Sequence, residues 1–225
     1  MSKLTNEILD NVRRAVALQL WELSAVKVNA RKPFKLASGN YSPIYINCRQ
    51  LISSPAFVDL FTAATRIVCE ASRVTFDVVA GGETAGIPFA AFVGRAFGKP
   101  MIYVRKEVKS HGIASRIEGV LPPDVRVLLV EDLITDAGSK RGFIEAIRQT
   151  GAIIKDVIVV FDRLQGGQKA LRKTGVTLHA LSDMDMALAV GKEAGALSSE
   201  ARIIVNSYLK NPRKWHKTAG LPFIG

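Results

Sequence analysis

The chain has 225 residues, 48% hydrophobic and 23% charged, which suits one large α/β domain and excludes a disordered chain. Its 31 Lys and Arg against 20 Asp and Glu give a formal charge of +11 and favour anionic partners, while the sequence lacks an uninterrupted apolar run long enough to span a membrane. Only two cysteines occur, Cys48 and Cys69, in no metal-like spacing, which excludes a disulfide or zinc scaffold and points to a reduced, cytoplasmic setting.

The opening segment, MSKLTNEILDNVRR, lacks the apolar centre of a secretion signal. Ile8, Leu9, Val12, Val16 and Leu20 keep a helical period, which predicts a surface helix over 5–23. Residues 33–50 hold Pro33, Gly39 and Pro43 among short alternating runs and predict two short strands with turns. Pro55 opens a second helix through about residue 72, with Phe57, Leu60, Phe61, Ala64, Ile67 and Val68 as its apolar stripe. Strands then alternate with helices. The strands fall at 76–80, 101–104, 126–130, 153–161 and 177–181, and the helices at 85–98, 140–149, 166–173 and 183–190. Such alternation predicts a parallel sheet covered by helices on both faces, with ligand at the carboxyl ends of the strands. A last helix over about 198–209 and a basic tail reaching Lys217 complete the chain. His179 and His216 read as a strand residue and a tail residue, and Trp21 and Trp215 as packing residues. Asp183 reads as a helix-start cap, with a cation site as the alternative for Asp183 and Asp185.

Four places carry chemistry. In VLLVEDLITDAGSK, residues 127–140, a buried-type strand runs into Glu131 and Asp132, and a small polar loop leads to a helix start. Backbone N–H groups of such a loop can hold a phosphate, and paired carboxylates can accept from vicinal hydroxyls. It lacks the Gly-Lys-Ser/Thr of a Walker A loop. Gly81-Gly82-Glu83-Thr84-Ala85-Gly86, after the 76–80 strand, lets backbone approach an anion such as pyrophosphate. The polar stretch 105–122 places Arg105, Lys106, Lys109 and His111 where a mobile cationic lid would sit; a solvated basic loop is the plainer alternative. Phe161-Asp162-Arg163 puts an arginine over the same cleft, able to grip a planar carboxylate or imide edge, or else merely an Asp–Arg pair closing the strand. The basic residues are spread out, with no long Lys/Arg block, which favours a small polyphosphate over nucleic acid.

Taken in order, FKLASGNYSPIYINCR (34–49), GGETAGIP (81–88), YVRKEVKSHG (103–112), IEG (117–119), VEDLITDAGS (130–139) and FDR (161–163) resemble the type I phosphoribosyltransferases, specifically the orotate phosphoribosyltransferase family. The resemblance implies a single domain of the type I phosphoribosyltransferase fold. Its core, about 55–185, would be a mostly parallel sheet flanked by helices, with a small hood from about 1–50 and 190–225. It implies transfer of a phosphoribosyl group from 5-phosphoribosyl 1-diphosphate to orotate with Mg2+. By position, Glu131 and Asp132 would hold the ribose hydroxyls, and Leu133, Ile134, Thr135, Asp136, Ala137, Gly138 and Ser139 would line the 5′-phosphate side. Gly81, Gly82, Glu83 and Thr84 would take the diphosphate side. Arg105, Lys106, Lys109 and His111 would bind and shield the diphosphate, with Lys109 the leading catalytic candidate beside Glu131 and Asp132. Thr135 and Arg163 would touch orotate, and no side chain is assigned to the metal. It also implies a homodimer whose lid reaches the partner's site, and no nucleic-acid or membrane partner. Two departures stand out: Ala37 where many bacterial members have Lys, with Lys35 or Arg49 as substitutes, and Thr-Asp-Ala-Gly-Ser where Thr-Thr-Gly-Gly-Ser is common. Asp136 should therefore point outward, offering only its backbone N–H. The alternatives are a regulator of this fold that binds RNA or DNA, and a purine phosphoribosyltransferase; in the latter an acid usually replaces Thr135.

Overall fold

A computed structural model describes residues 2–36, 38–107 and 116–224. Helix α1, Lys3–Glu22, starts where the Ser2 hydroxyl accepts the Thr5 N–H at 3.1 Å, and buries Val12, Val16 and Leu20. Strand β1, Val26–Val28, pairs antiparallel with β4, Ile44–Ile46; between them β2, Phe34–Lys35, pairs with β3, Tyr41–Ser42. A 3-10 helix, Cys48–Ser53, leads to α2, Pro55–Ser72, whose first turn is set by Pro55 and by Ser54 accepting the Phe57 N–H. Residues 33–50 thus hold three short strands rather than two, and β1 was not foreseen.

The main body follows as β5 (Val78–Gly82), α3 (Gly86–Phe97), β6 (Met101–Val104), β7 (Ile117–Glu118), β8 (Arg126–Ile134), α4 (Gly138–Arg148), β9 (Ile153–Asp162), α5 (Gly167–Arg172), β10 (Thr177–Asp183) and α6 (Met184–Glu193). These strands form one sheet in the order β10-β9-β8-β5-β6-β7, parallel except where β7 runs against β6. From β5 the chain steps outward to β6 and β7, then returns to the other side of β5 as β8. The strand order therefore reverses between β5 and β8, where an open α/β sheet has its ligand crevice.

Period-2 alternation divides the core. Val79, Leu128, Val130, Ile158 and Val160 pack with α1, α2 and α3 on one face. Val78, Ala80, Val127, Leu129, Val157 and Val159 pack with Phe143, Ile144 and Ile147 of α4 and Leu171 of α5 on the other. Helix α1, placed with the hood by the resemblance, lies instead against α2, α6 and β10 and belongs to the core. Trp21 packs there and donates its indole N–H to Ala187 O at 2.7 Å. Asp183 caps α6 by accepting the Met186 N–H at 3.0 Å, and Arg13 of α1 pairs with its other oxygen.

Beyond α7, Ser199–Lys210, the expected basic tail is in fact a helix, α8, Pro212–Thr218. Asn211 caps it by accepting the Lys214 N–H at 2.9 Å, and Pro212 occupies its first turn. His216 on α8 is only 1% exposed. The Tyr41 N–H donates to its Nε2 at 3.0 Å, and its Nδ1 lies 2.7 Å from Pro212 O, both satisfied with the proton on Nδ1. The Ile224 N–H donates to Asn40 Oδ1 at 2.7 Å, and Asn40 Nδ2 donates back to Ile224 O at 2.9 Å. Residues 212–224 thus strap the β2–β3 hairpin onto α7 and α8, with Trp215 and Phe223 packed edge-on against the imidazole.

Substituting His216→Ala should lower the unfolding free energy by about 1–3 kcal/mol, since it leaves the Tyr41 N–H without an acceptor. His216→Gln, which restores an acceptor at the same reach, should lose distinctly less. Equal losses in urea titrations of the two variants would show that packing, not the bond to Tyr41, holds the strap.

Candidate active site

At the carboxyl ends of β5 and β8 lies a cleft of about 340 Å³, floored by Glu131, Asp132 and Leu133 and rimmed by Tyr45–Arg49 on one side and Thr135–Lys140 on the other. Glu83, Thr84, Ala85 and Lys106 close a third side. Strand β8 is four residues longer than its apolar run suggested, because Glu131, Leu133 and Ile134 continue the ladder onto β9. Strand alternation then separates the two carboxylates. Glu131 shares the α4 face with Val127 and Leu129, and Asp132 turns toward the 3-10 helix, close enough to Cys48 to help raise that thiol's pKa, which burial raises most.

Glu131 is 3% exposed. Its Oε1 accepts the Gly82 N–H at 2.8 Å and its Oε2 pairs with Lys140 Nζ at 2.7 Å. Burial pushes its pKa from 4.5 to about 7, with Lys140 opposing the rise and Asp132 adding to it. Lys140, which the sequence offered only as the beginning of a helix, is therefore part of the site. Its signal was a cation at a position whose neighbours one turn on, Phe143 and Ile144, are apolar.

Two of the glycines, Gly82 and Gly86, are explained by the same carboxylate, while a Cβ on Gly81 would meet the start of α3. Gly81 and Gly82, expected in a loop, are the last two residues of β5, paired with Tyr103 and Val104. A Cβ on Gly82 would overlap Glu131 Oε1 and the Phe143 ring, and one on Gly86 would overlap Glu131 Oε1. The Glu83–Thr84 peptide bond is cis. Lys106 donates its N–H to Glu83 Oε2 at 2.8 Å, which ties β6 to this turn.

Helices α1, α2, α6, α7 and α8 each have a side-chain cap, whereas α3, α4 and α5 have none from their N-cap residues Ala85, Ala137 and Gly166, and of these α3 and α4 begin at the cleft. On α3 the Ile87 N–H already reaches Thr84 O and Pro88 has no N–H, so the first-turn donors of these helices that can seat an anion lie mainly on α4. Ala137 adopts a left-handed backbone, φ 67°, and this turns the Gly138 N–H back toward the preceding side chain. Asp136, expected to point away with only its N–H engaged, instead accepts that Gly138 N–H on Oδ1 at 2.9 Å and lines the cleft.

Other expected residues are placed as follows. Thr135, Ala137, Gly138 and Ser139 line the cleft, whereas the Ile134 side chain is buried in the α4 face of the core. Arg105 turns toward Glu118, at 3.6 Å, and is not among the cleft-lining residues. Arg163 follows β9 directly and donates its N–H to Ile134 O at 3.0 Å; its Nε is buried with no partner among the described residues. Asp162 does not close the strand with it but accepts the Leu164 N–H, and burial raises its pKa. Arg49 lines the cleft and Lys35 does not. Lys109, His111 and Ala37 lie outside the described residues. Among the described residues no cluster of His, Cys, Asp and Glu forms a metal cage.

No protein-family model matches the chain. It is 44% identical over 211 residues to an orotate phosphoribosyltransferase of Sinorhizobium fredii, covering 91% of this chain and 90% of that one. In three dimensions it resembles the orotate phosphoribosyltransferase of Aeropyrum pernix, with a TM-score of 0.70, 29% identity and coverage of 81% of this chain and 99% of that one. It also resembles Leishmania donovani UMP synthase, with a TM-score of 0.75 and 28% identity, over 88% of this chain and 42% of that longer one.

Gly86→Ala should cost on the order of 3 kcal/mol of stability, or displace Glu131, because its Cβ meets a buried carboxylate and the Val130 carbonyl. Gly94→Ala, on the same helix and with its nearest neighbours at 3.2 and 3.3 Å rather than 2.1 Å, should stay within about 1 kcal/mol of the parent. Thermal or urea unfolding of the pair checks this; similar losses would remove Glu131 as the reason for Gly86.

Proposed function

Because the chain belongs to the orotate phosphoribosyltransferase family, we infer that it transfers the 5-phosphoribosyl group of 5-phosphoribosyl 1-diphosphate to orotate, yielding orotidine 5′-monophosphate and diphosphate in pyrimidine biosynthesis. The observation that carries this reading is the meeting, at one topological switch point, of two helix N-termini whose N-cap residues, Ala85 and Ala137, give no capping side chain, with an acidic pair in the cleft between them.

Four carboxylates (Glu83, Glu131, Asp132, Asp136) and three cations (Arg49, Lys106, Lys140) line that cleft, so side-chain charge alone does not recommend it to an anion. Backbone donors would do most of the holding. The N–H groups from Thr135 to Ser139 would take the 5′-phosphate, with the Asp136 carboxylate leaving Gly138 as it enters. Gly81–Thr84 and the start of α3 would take the diphosphate, joined by Lys106, Arg105, Lys109 and His111. Glu131 and Asp132, on opposite faces of β8, would accept from the ribose hydroxyls. Thr135 and Arg163 would meet orotate, the planar guanidinium matching its carboxylate.

Breaking the ribose C1–oxygen bond leaves positive charge on the sugar and negative charge on the departing diphosphate, much as in glycoside cleavage. The acidic pair would lie beneath the first charge and the cationic segment around the second. Orotate is already anionic, so its attack needs no strong base from this cleft. The oxygen-rich site fits Mg2+ delivered on the diphosphate, where it would offset negative charge; no protein side chain is assigned to it. We further propose a homodimer in which the 105–112 segment reaches the partner's cleft, in a cytoplasmic setting. No helix among the described residues is long and apolar enough to cross a membrane.

Loss of orotate ultraviolet absorbance in the presence of donor and Mg2+ tests the reaction directly. Turnover that disappears on chelation is expected. Donor binding without orotate turnover would point to another base or to a regulator. Lys109→Ala should lower kcat by about a hundredfold or more with the fold intact, a typical cost of removing one preorganised donor from a transition state. Unchanged turnover would remove the lid assignment. Arg163→Ala should raise KM for orotate well above any change in KM for the donor; equal changes would deny it an orotate contact.

A further inference from the structure

The side chains that α4 buries are Lys140, Phe143, Ile144, Ala146 and Ile147: four apolar groups and one cation, 8% exposed. Neither the phosphate-holding loop, which works through backbone N–H groups, nor the packing of α4 on the sheet requires a lysine at the third position of this helix. A buried ammonium is stable only beside a group that compensates its lost hydration, and here that group is Oε2 of Glu131, 2.7 Å away. The pair also fixes a direction. With Oε1 on the Gly82 N–H and Oε2 on Lys140, the carboxylate plane is held at both oxygens, and its remaining lone pairs are left for hydroxyl donors in the cleft.

We propose that Lys140 is a positioning residue for phosphoribosyl transfer, which keeps Glu131 ionised and aimed at the ribose hydroxyls. This rests on the function inferred above and extends it to a residue that the acidic-pair and phosphate-loop motifs leave without a role. A protonated Glu131 would present one oxygen as a donor and would lose the negative charge that lies beneath the developing ribosyl cation. The groups facing Glu131 are the Gly82 N–H of β5, Asp132 on β8, Gly86 of α3, and Phe143 and Lys140 of α4. Among the described residues Lys140 is the only cation paired with it. Burial and Asp132 both favour the protonated carboxyl, and Lys140 and the Gly82 N–H oppose them, leaving Glu131 titrating at about 7.

The sign of the effect follows. If the ionised form is the active one, kcat/KM for the donor rises with pH through about 7 in the parent protein. Lys140→Met removes the opposing charge, so this acid limb should move upward by about one pH unit or more, with activity about tenfold lower at slightly acid pH and largely recovered at alkaline pH. Lys140→Arg, which keeps the charge, should hold the limb near its original place. Lys140→Gln serves as the neutral variant should the methionine fail to fold. A limb that stays put in the neutral variant, a deficit of equal size at every pH, or equal movement in the arginine and neutral variants would each overturn the proposal. The infrared band of protonated carboxyl groups gives a readout that needs no turnover. It should be stronger at neutral pH in the neutral variant than in the parent, and that increment should vanish when Glu131→Gln is added; no increment would also overturn it. Absence of orotate turnover in the parent would defeat the inferred reaction while leaving this titration to judge Lys140.

Discussion

A carboxylate buried at the seam between two parallel strands constrains everything around it. Glu131 sits at the reversal of strand order, and the space it fills is space that β5, α3 and α4 must leave empty. Gly82 and Gly86 have no side chain because its oxygen stands where one would go, and Phe143 closes the remaining side. An isolated ionised carboxylate would be too costly to desolvate here, so the fold supplies a backbone N–H from β5 and an ammonium from α4. β8 and α4, neighbours in sequence, are thereby fastened at the cleft to Gly82 of β5, 49 residues before Glu131. A buried ion pair of this kind is weak evidence for stability. Its value here is geometric, since each partner fixes the orientation of a group at the mouth of the cleft.

The neighbour of Glu131 lives under different physics. Because β8 continues through both acids, pleating sends Asp132 to the opposite face, toward the 3-10 helix that follows the β1–β4 pair. One acid is thus locked into the sheet and the other turns toward the Tyr45–Arg49 segment that rims the cleft. Two carboxylates spaced this way can flank a sugar from two sides, which a pair projecting from a loop would do only with added ordering cost. The buried Cys48 thiol beside Asp132 is held in its neutral form by burial and by that negative charge, so it behaves as a packing group.

Much of this was legible in the chain. The alternation of apolar runs with amphipathic stretches anticipated the five parallel strands and the helices between them, and the motif order marked the cleft. What escaped notice depended on partners distant in sequence. Gly81 and Gly82 look like a loop until Val104 and Tyr103 are known to lie beside them. Glu131 and Asp132 look like a strand's end until β9 is seen to pair past them. Lys140 looks like any lysine at a helix start, since nothing local announces that its side chain turns inward. Helix α8 carried the local signals, Asn211 followed by Pro212, within a stretch whose positive charge reads as a basic tail. His216 could not be read as buried because its acceptor role is set by Tyr41, on a hairpin 175 residues away.

The remaining tension is between bulk charge and local charge. The protein carries +11 overall, yet the described lining of its cleft holds more carboxylates than cations. Long-range attraction can bring a polyphosphate toward such a protein, but it cannot decide where the ligand settles, because exposed charges are screened over about 8–10 Å at ordinary salt. Settling is decided at close range by oriented N–H groups, and neither of the two helices that open onto the cleft has a capping side chain on its N-cap residue. On α4 the Gly138 N–H already holds an anion, the carboxylate of Asp136. A loop that recruits its own carboxylate in this way is displaying the preference of its backbone: the first turn of α4 is organised for negative charge whether a phosphate or a side chain provides it.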